Sequence, residues 1–187
     1  MSLTTLLGGA RSGKSSLAVE IGHRHDGPVV FLATAPAIDA DMEERIERHR
    51  AERPVNWTTV EAPIELHDGL QGADDHTLVI IDCLTLWVSN LMYAGRSDDQ
   101  VREAAASASA LAATRSGLVV AVSNEVGMGI HPETQLGRRY RDLLGWVNQT
   151  WAAASTTSLL MVAGRAIELT DPWNHLGGLR RPDTNRA

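Results

Sequence analysis

The chain has 187 residues, 43% of them apolar and 21% charged, with a net charge of −6. That size suits one domain with a substantial core, and the acidic balance gives no support to nucleic-acid or anionic-membrane binding. No run of about 18 apolar residues marks a membrane span, and a single cysteine, Cys83, excludes an intrachain disulfide framework.

Read in chain order, apolar β-type runs alternate with longer helical patterns. Runs at 3–7, 28–34, 56–61, 77–82, 117–123 and 158–164 read as strands, and "RAIEL" (165–169) as an antiparallel edge strand. Several are almost continuously apolar, the pattern of strands buried on both faces of a mainly parallel sheet. Helical segments fall at 14–25, 39–53, 64–71, 84–93, 98–115 and 133–154. This alternation predicts an α/β fold with crossover helices on both faces. The alanine-rich "AAASASALAA" (104–113) reads as a helix packed closely on a neighbour or another subunit. We expect one domain over 1–170 and a flexible tail over 171–187, where Pro, Gly and charge occur without periodicity. The first residues pass directly into a strand and a glycine loop, which leaves no room for a cleavable signal, and the lone thiol fits a reducing cytoplasm. A cytoplasmic protein is expected.

"GGARSGKS" (8–15) matches G-x-x-x-x-G-K-[ST], with a strand before it and a helix after it. Its backbone amides, from Gly8, Gly9, Ala10, Arg11, Ser12 and Gly13, can turn inward around phosphate oxygens, and the helix N-terminus adds donors and dipole. Lys14 supplies positive charge to the β and γ phosphates, and Ser15 a hydroxyl for Mg²⁺. "TLVIID" offers Asp82 at the end of another strand, as a metal partner, as a helix N-cap, or as both. These features predict a P-loop enzyme acting on a nucleoside triphosphate with Mg²⁺. They leave the acceptor open.

"DADMEERIERHRAERP" (39–54) reads as a helix with Asp39 or Asp41 at its N-cap and Pro54 closing it. Met42, Ile46 and His49 share one face, with Arg45 a turn before His49. On periodicity alone such a histidine is more often a packing residue than a reactive one.

"GGARSGKS", "FLATAPAIDADMEERIERHRAERP", "WTTVEAP", "VIIDCLTLWVSNLM" and "SNEVGMGIHPE" occur in that order. Together they resemble the bifunctional adenosylcobinamide kinase/adenosylcobinamide-phosphate guanylyltransferase family of cobalamin biosynthesis, over residues 6 to about 169. The "RIxxH" and "RPxxW" pair and "NEVGMGI" are the specific part.

The resemblance implies a RecA-like P-loop domain, a homotrimer, and two reactions. The first phosphorylates the aminopropanol hydroxyl of adenosylcobinamide with ATP or GTP. In the second, His49 takes GMP from GTP and passes it to the new phosphate; a neutral imidazole is required, and histidine's ordinary pKa near 6.5 supplies it. The same resemblance carries nucleotide contacts onto Ala33, Thr34 and Ala35, onto Arg50, Ala51, Glu52 and Arg53, and onto Glu61 and Asp82. Arg45, Arg48, Arg50 and Arg53 are candidates to offset triphosphate charge. Without it, Glu61 would read as a surface acid at a strand end.

Asn124 and Glu125 follow a strand and belong at its carboxyl edge, where open α/β sheets bind ligands. Glu125 reads equally as a base for the substrate hydroxyl or as a residue of a structural loop. The histidines show no zinc-ligand spacing. Cys83 reads as a packed thiol and Trp87 as core, and Trp146 and Trp151 as packing or an oligomer seam. Two other readings stay open: a small-molecule P-loop kinase without nucleotidyl transfer, and a non-catalytic nucleotide-dependent switch.

Overall fold

The computed structural model of the chain describes residues 3–35 and 53–176. Of the expected site residues, His49, Arg50, Ala51 and Glu52 lie outside the described residues, with Arg45, Arg48 and almost all of the helix expected over 39–53.

Among the described residues seven strands form one sheet: β1 (Leu3–Gly8), β2 (Val29–Ala33), β3 (Thr58–Glu61), β4 (Leu78–Asp82), β5 (Val119–Val122), β6 (Thr157–Val162) and β7 (Arg165–Glu168). Their order across the sheet is β3-β2-β4-β5-β1-β6-β7. Every pairing is parallel except β6 with β7, which is antiparallel at the edge, as "RAIEL" suggested. The described helices are α1 (Lys14–His23), α2 (Leu66–Gly72), α3 (Leu84–Tyr93), α4 (Asp98–Thr114) and α5 (Gln135–Ala154). None of them is long and apolar enough to cross a membrane.

The continuous apolar runs are explained by burial on two sides. In β4, Val79 and Ile81 join one core with Leu66, Trp87, Val101, Leu144 and Trp151 from α2 to α5. The alternate residues Leu78 and Ile80 join a second core with Ala18 of α1, Phe31 and Val120. Successive side chains of a strand point to opposite faces, so both sets must be apolar.

The alanine-rich segment is α4. It opens with a reciprocal capping box between Ser97 and Gln100, and Ala105, Ala108 and Ala112 are buried in the core shared with α5. Its packing partner is thus within the chain. Trp87 and Trp151 are core residues, while Trp146 stays partly exposed with the Arg102 guanidinium 5.4 Å from its ring centroid. Beyond β7, Pro172–Asn174 form a short 3₁₀ turn capped by the Asp171 side chain, which accepts from the Trp173 amide.

The strand order positions the site. Because β5 stands between β1 and β4, the loop after β5 emerges between the ends of the strands carrying the glycine loop and Asp82.

Candidate active site

The glycine loop joins β1 to α1, and its shape is dictated at Gly8. Its φ is +146°, and an added Cβ would lie 2.3 Å from the carbonyl oxygen of Met161 in β6. Only glycine passes there. Gly13, at φ +99°, is the N-cap of α1, and Arg11 holds φ +58°, an uncommon left-handed conformation for a residue with a side chain. Lys14, 6% exposed, turns back into the loop it follows. Its Nζ donates to Gly8 O at 2.8 Å, to Gly9 O at 2.7 Å and to Ser12 Oγ at 3.2 Å. Three donors meet three acceptors, so the buried ammonium is satisfied and aimed within the loop. Burial draws its pKa below the ordinary lysine value, and the Asp82 carboxylate opposes that shift. Asp82 is therefore near enough to act electrostatically on the loop's lysine.

Asp82 ends β4, in register with Ala33 of β2 and Val122 of β5. The N-cap of α3 is Cys83, whose side chain makes no cap hydrogen bond, and Asp82 stands one residue before it. The peptide bond between Asp82 and Cys83 is cis. Ser15 lies in the first turn of α1 and Asp82 at a strand end on the same edge of the sheet. A hydroxyl and a carboxylate are hard oxygen donors of the kind Mg²⁺ takes. The partly buried Cys83 thiol is pushed up to about 11, first by desolvation and then by the Asp82 charge. That is a packed thiol rather than a reactive one.

The Ala33–Thr34–Ala35 turn continues β2. Ala62 N donates to Ala33 O at 2.8 Å, which joins the turn to the end of β3. Glu61, exposed at the end of β3, is in register with Ala33 and borders a cleft of about 400 Å³ that also includes Pro63, Ile64 and Gly69. Four strand spacings separate β3 from β1, about 19 Å. Glu61 and the glycine loop therefore stand at opposite ends of one strip of the sheet edge, with Thr34 and Asp82 between them. Arg53 faces the sheet: its guanidinium lies 3.9 Å from the Phe31 ring centroid and donates to Thr59 Oγ1 at 3.1 Å.

The loop after β5 is fastened from several sides. Ser123 Oγ donates to Asn148 Oδ1 at 2.6 Å, Asn148 Nδ2 to Asn124 O at 3.0 Å, and Asn124 N to Thr85 Oγ1 at 2.7 Å. Tyr140 OH donates to Thr85 O at 3.2 Å, and desolvation pushes its pKa up to about 12. The Glu125 carboxylate accepts the Gly127 amide of its own loop. Sequence reasoning passed over Thr85, Tyr140 and Asn148. The one legible signal was Asn148 on the helical face that also carries Leu144 and Trp151.

A family model described as cobinamide kinase / cobinamide phosphate guanyltransferase matches residues 4–169. The chain belongs to that family. It is similar to the bifunctional adenosylcobalamin biosynthesis protein CobP of Pseudomonas aeruginosa, 39% identical over 88% of this chain and 95% of that protein. It is equally similar to the bifunctional adenosylcobalamin biosynthesis protein CobU of Escherichia coli, 39% identical over 87% of this chain and 96% of the relative. In fold it is similar to an ATPase from the type III secretion system of pathogenic bacteria, with a TM-score of 0.53 and 11% identity over 89% of this chain and 56% of that one. This member of the cobinamide kinase/guanyltransferase family thus carries its glycine loop on a mainly parallel sheet similar in fold to that ATPase.

Proposed function

We propose that the chain phosphorylates the aminopropanol hydroxyl of adenosylcobinamide with ATP or GTP, and then transfers GMP from GTP through a His49–GMP intermediate to give adenosyl-GDP-cobinamide. The observation that carries this reading is the family match over residues 4–169, on a sheet whose glycine loop holds Lys14 inside it.

In the first step the substrate hydroxyl oxygen attacks the γ-phosphorus and gives up its proton to solvent, the bond to the β-phosphate oxygen breaks, and the nucleoside diphosphate leaves with the charge. The loop amides and Lys14 hold the phosphate oxygens as that charge shifts. Mg²⁺, held through Ser15 and Asp82, would neutralise phosphate charge and keep the reacting oxygens in line. In the second step a ring nitrogen of His49 attacks the α-phosphorus of GTP and pyrophosphate leaves. The new corrinoid phosphate then attacks the same phosphorus, and the P–N bond breaks to free the imidazole. Covalent capture divides one transfer between two anions into two easier ones.

The strip between the glycine loop and Glu61 supports a nucleotide laid along the strand ends, phosphates at Lys14 and base toward Glu61. A carboxylate there takes the two N–H donors of guanine, which favours GTP, while ATP would be held in the kinase step through its phosphates. Ala33, Ala35, Arg50, Ala51, Glu52 and Arg53 would complete the contacts. A cytoplasmic homotrimer is the assembly we propose.

Incubation with [α-³²P]GTP tests the transfer step. Label is expected on the wild type and not on His49→Ala. Equal labelling of both removes His49 from the mechanism. No label on either leaves a plain kinase, and no phosphorylated corrinoid from cobinamide with GTP or with ATP removes the kinase step too.

A further inference from the structure

The resemblance counts Thr34 among nucleotide contacts, yet the residue is fully buried. Its hydroxyl donates to Cys83 O and accepts from Cys83 N, both at 2.7 Å, across 49 residues of sequence. Its amide donates to Asp82 O at 3.3 Å. Its carbonyl accepts from Asn90 Nδ2 at 2.7 Å, and the same Nδ2 donates to Pro63 O at 3.0 Å. Both backbone polar atoms and the hydroxyl of Thr34 are thus engaged within the protein. Cys83 O also accepts the first bond of α3, from Trp87 N at 3.2 Å, so the hydroxyl sits at the junction of strand and helix.

We propose that Thr34, seated by Asn90, is a positioning residue for Asp82 rather than a nucleotide ligand. Asp82 is gripped on its strand side by register with Ala33 and Val122. On its other side Thr34 grips the Cys83 amide and carbonyl. With both flanks fixed, the backbone from which the Asp82 carboxylate projects is fixed. Mg²⁺ demands near-ideal octahedral geometry, so releasing one flank weakens the metal's contribution and leaves the loop's direct hold on phosphate intact. Asn90 extends the same unit to the connection between β3 and α2. This inference rests on the placement of the metal at Asp82 proposed above.

The test is calorimetric titration of the whole protein with α,β-methylene GTP, which cannot lose pyrophosphate, in Mg²⁺ and in EDTA. Thr34→Val keeps the side-chain shape and deletes both hydroxyl bonds. It is expected to lose at least about tenfold of the tightening that Mg²⁺ confers on the wild type, while its affinity in EDTA stays within about threefold; Thr34→Ser is expected to restore the tightening. Should Thr34→Val not yield folded protein, Asn90→Ala makes the same test, with an expected loss of about threefold confined to Mg²⁺. Full retention of the Mg²⁺ effect in the variant tested overturns the proposal. So does an equal loss with and without Mg²⁺, which marks a nucleotide contact. Absence of any Mg²⁺ effect in the wild type overturns the metal placement instead.

Discussion

The amide of Glu125 donates to the carbonyl of Gly8 at 3.0 Å. This bond joins the loop after β5 to the start of the glycine loop, and it exists because β5 lies directly beside β1. The Gly8 carbonyl also accepts from Lys14 Nζ at 2.8 Å. One oxygen therefore links the proposed phosphate site to the loop of the family's "NEVGMGI" motif, and Asn148 and Thr85 brace that loop from behind.

Gly8→Ala tests how closely β1 and β6 approach at this point. The new Cβ meets a backbone oxygen at 2.3 Å, which no rotamer change relieves. Loss of measurable triphosphate binding is expected, with a fall of several degrees in the thermal midpoint. Binding within threefold of wild type would show that the loop has another way to form.

Lys14→Met removes the ammonium that the loop's own oxygens hold. Phosphorylation of cobinamide is expected to slow by about 10²–10³-fold, the usual loss for one electrostatic donor. Circular dichroism should show an intact fold. A rate within tenfold of wild type would exclude Lys14 from the phosphoryl step.

Glu125→Gln separates the two roles open to Glu125. A general base lost to an amide costs about 10²–10⁴-fold. The carboxylate here accepts its own loop's Gly127 amide, a bond that a glutamine oxygen also makes. The expected outcome is kinase turnover within about threefold of wild type; a loss above a hundredfold would make it the base.

Gly22 and Trp57 give the "RPxxW" motif a packing reason. A Cβ on Gly22 would lie 2.4 Å from the Trp57 ring and 3.1 Å from Ile80 Cδ1. Gly22→Ala gains about 1 kcal/mol of helix propensity but overpacks by about 1–3 kcal/mol. A net loss near 1 kcal/mol, about 3 °C in the thermal midpoint, is expected. A rise would show that the ring swings aside without cost.

Cys83 sets a pH limit. Its thiol is pushed up to about 11 from 9.0, so the folded state favours the neutral form. Below pH 9 this costs no stability; between about 9 and 11 the unfolded chain ionises first, and stability falls as pH rises. At pH 8.5 iodoacetamide is expected to label folded protein far more slowly than protein in denaturant. Equal rates would place the thiol in solvent as thiolate.

The primary structure alone determined the α/β class, the strand sequence and the phosphate loop. Both-face burial writes itself into a strand as consecutive apolar residues, and a loop that wraps phosphate needs glycines and lysine at fixed local spacing. Tertiary structure decided which distant residues brace the site. Thr34 on Cys83, Asn148 on Asn124 and Arg115 donating to the carbonyls of Leu70, Ala73 and Asp74 are single polar groups meeting backbone atoms far along the chain. Such a bond has no period and no required neighbour in sequence. It comes into being only when the folded sheet and its helices bring the two ends together, as β2 beside β4 does for Thr34 and Cys83.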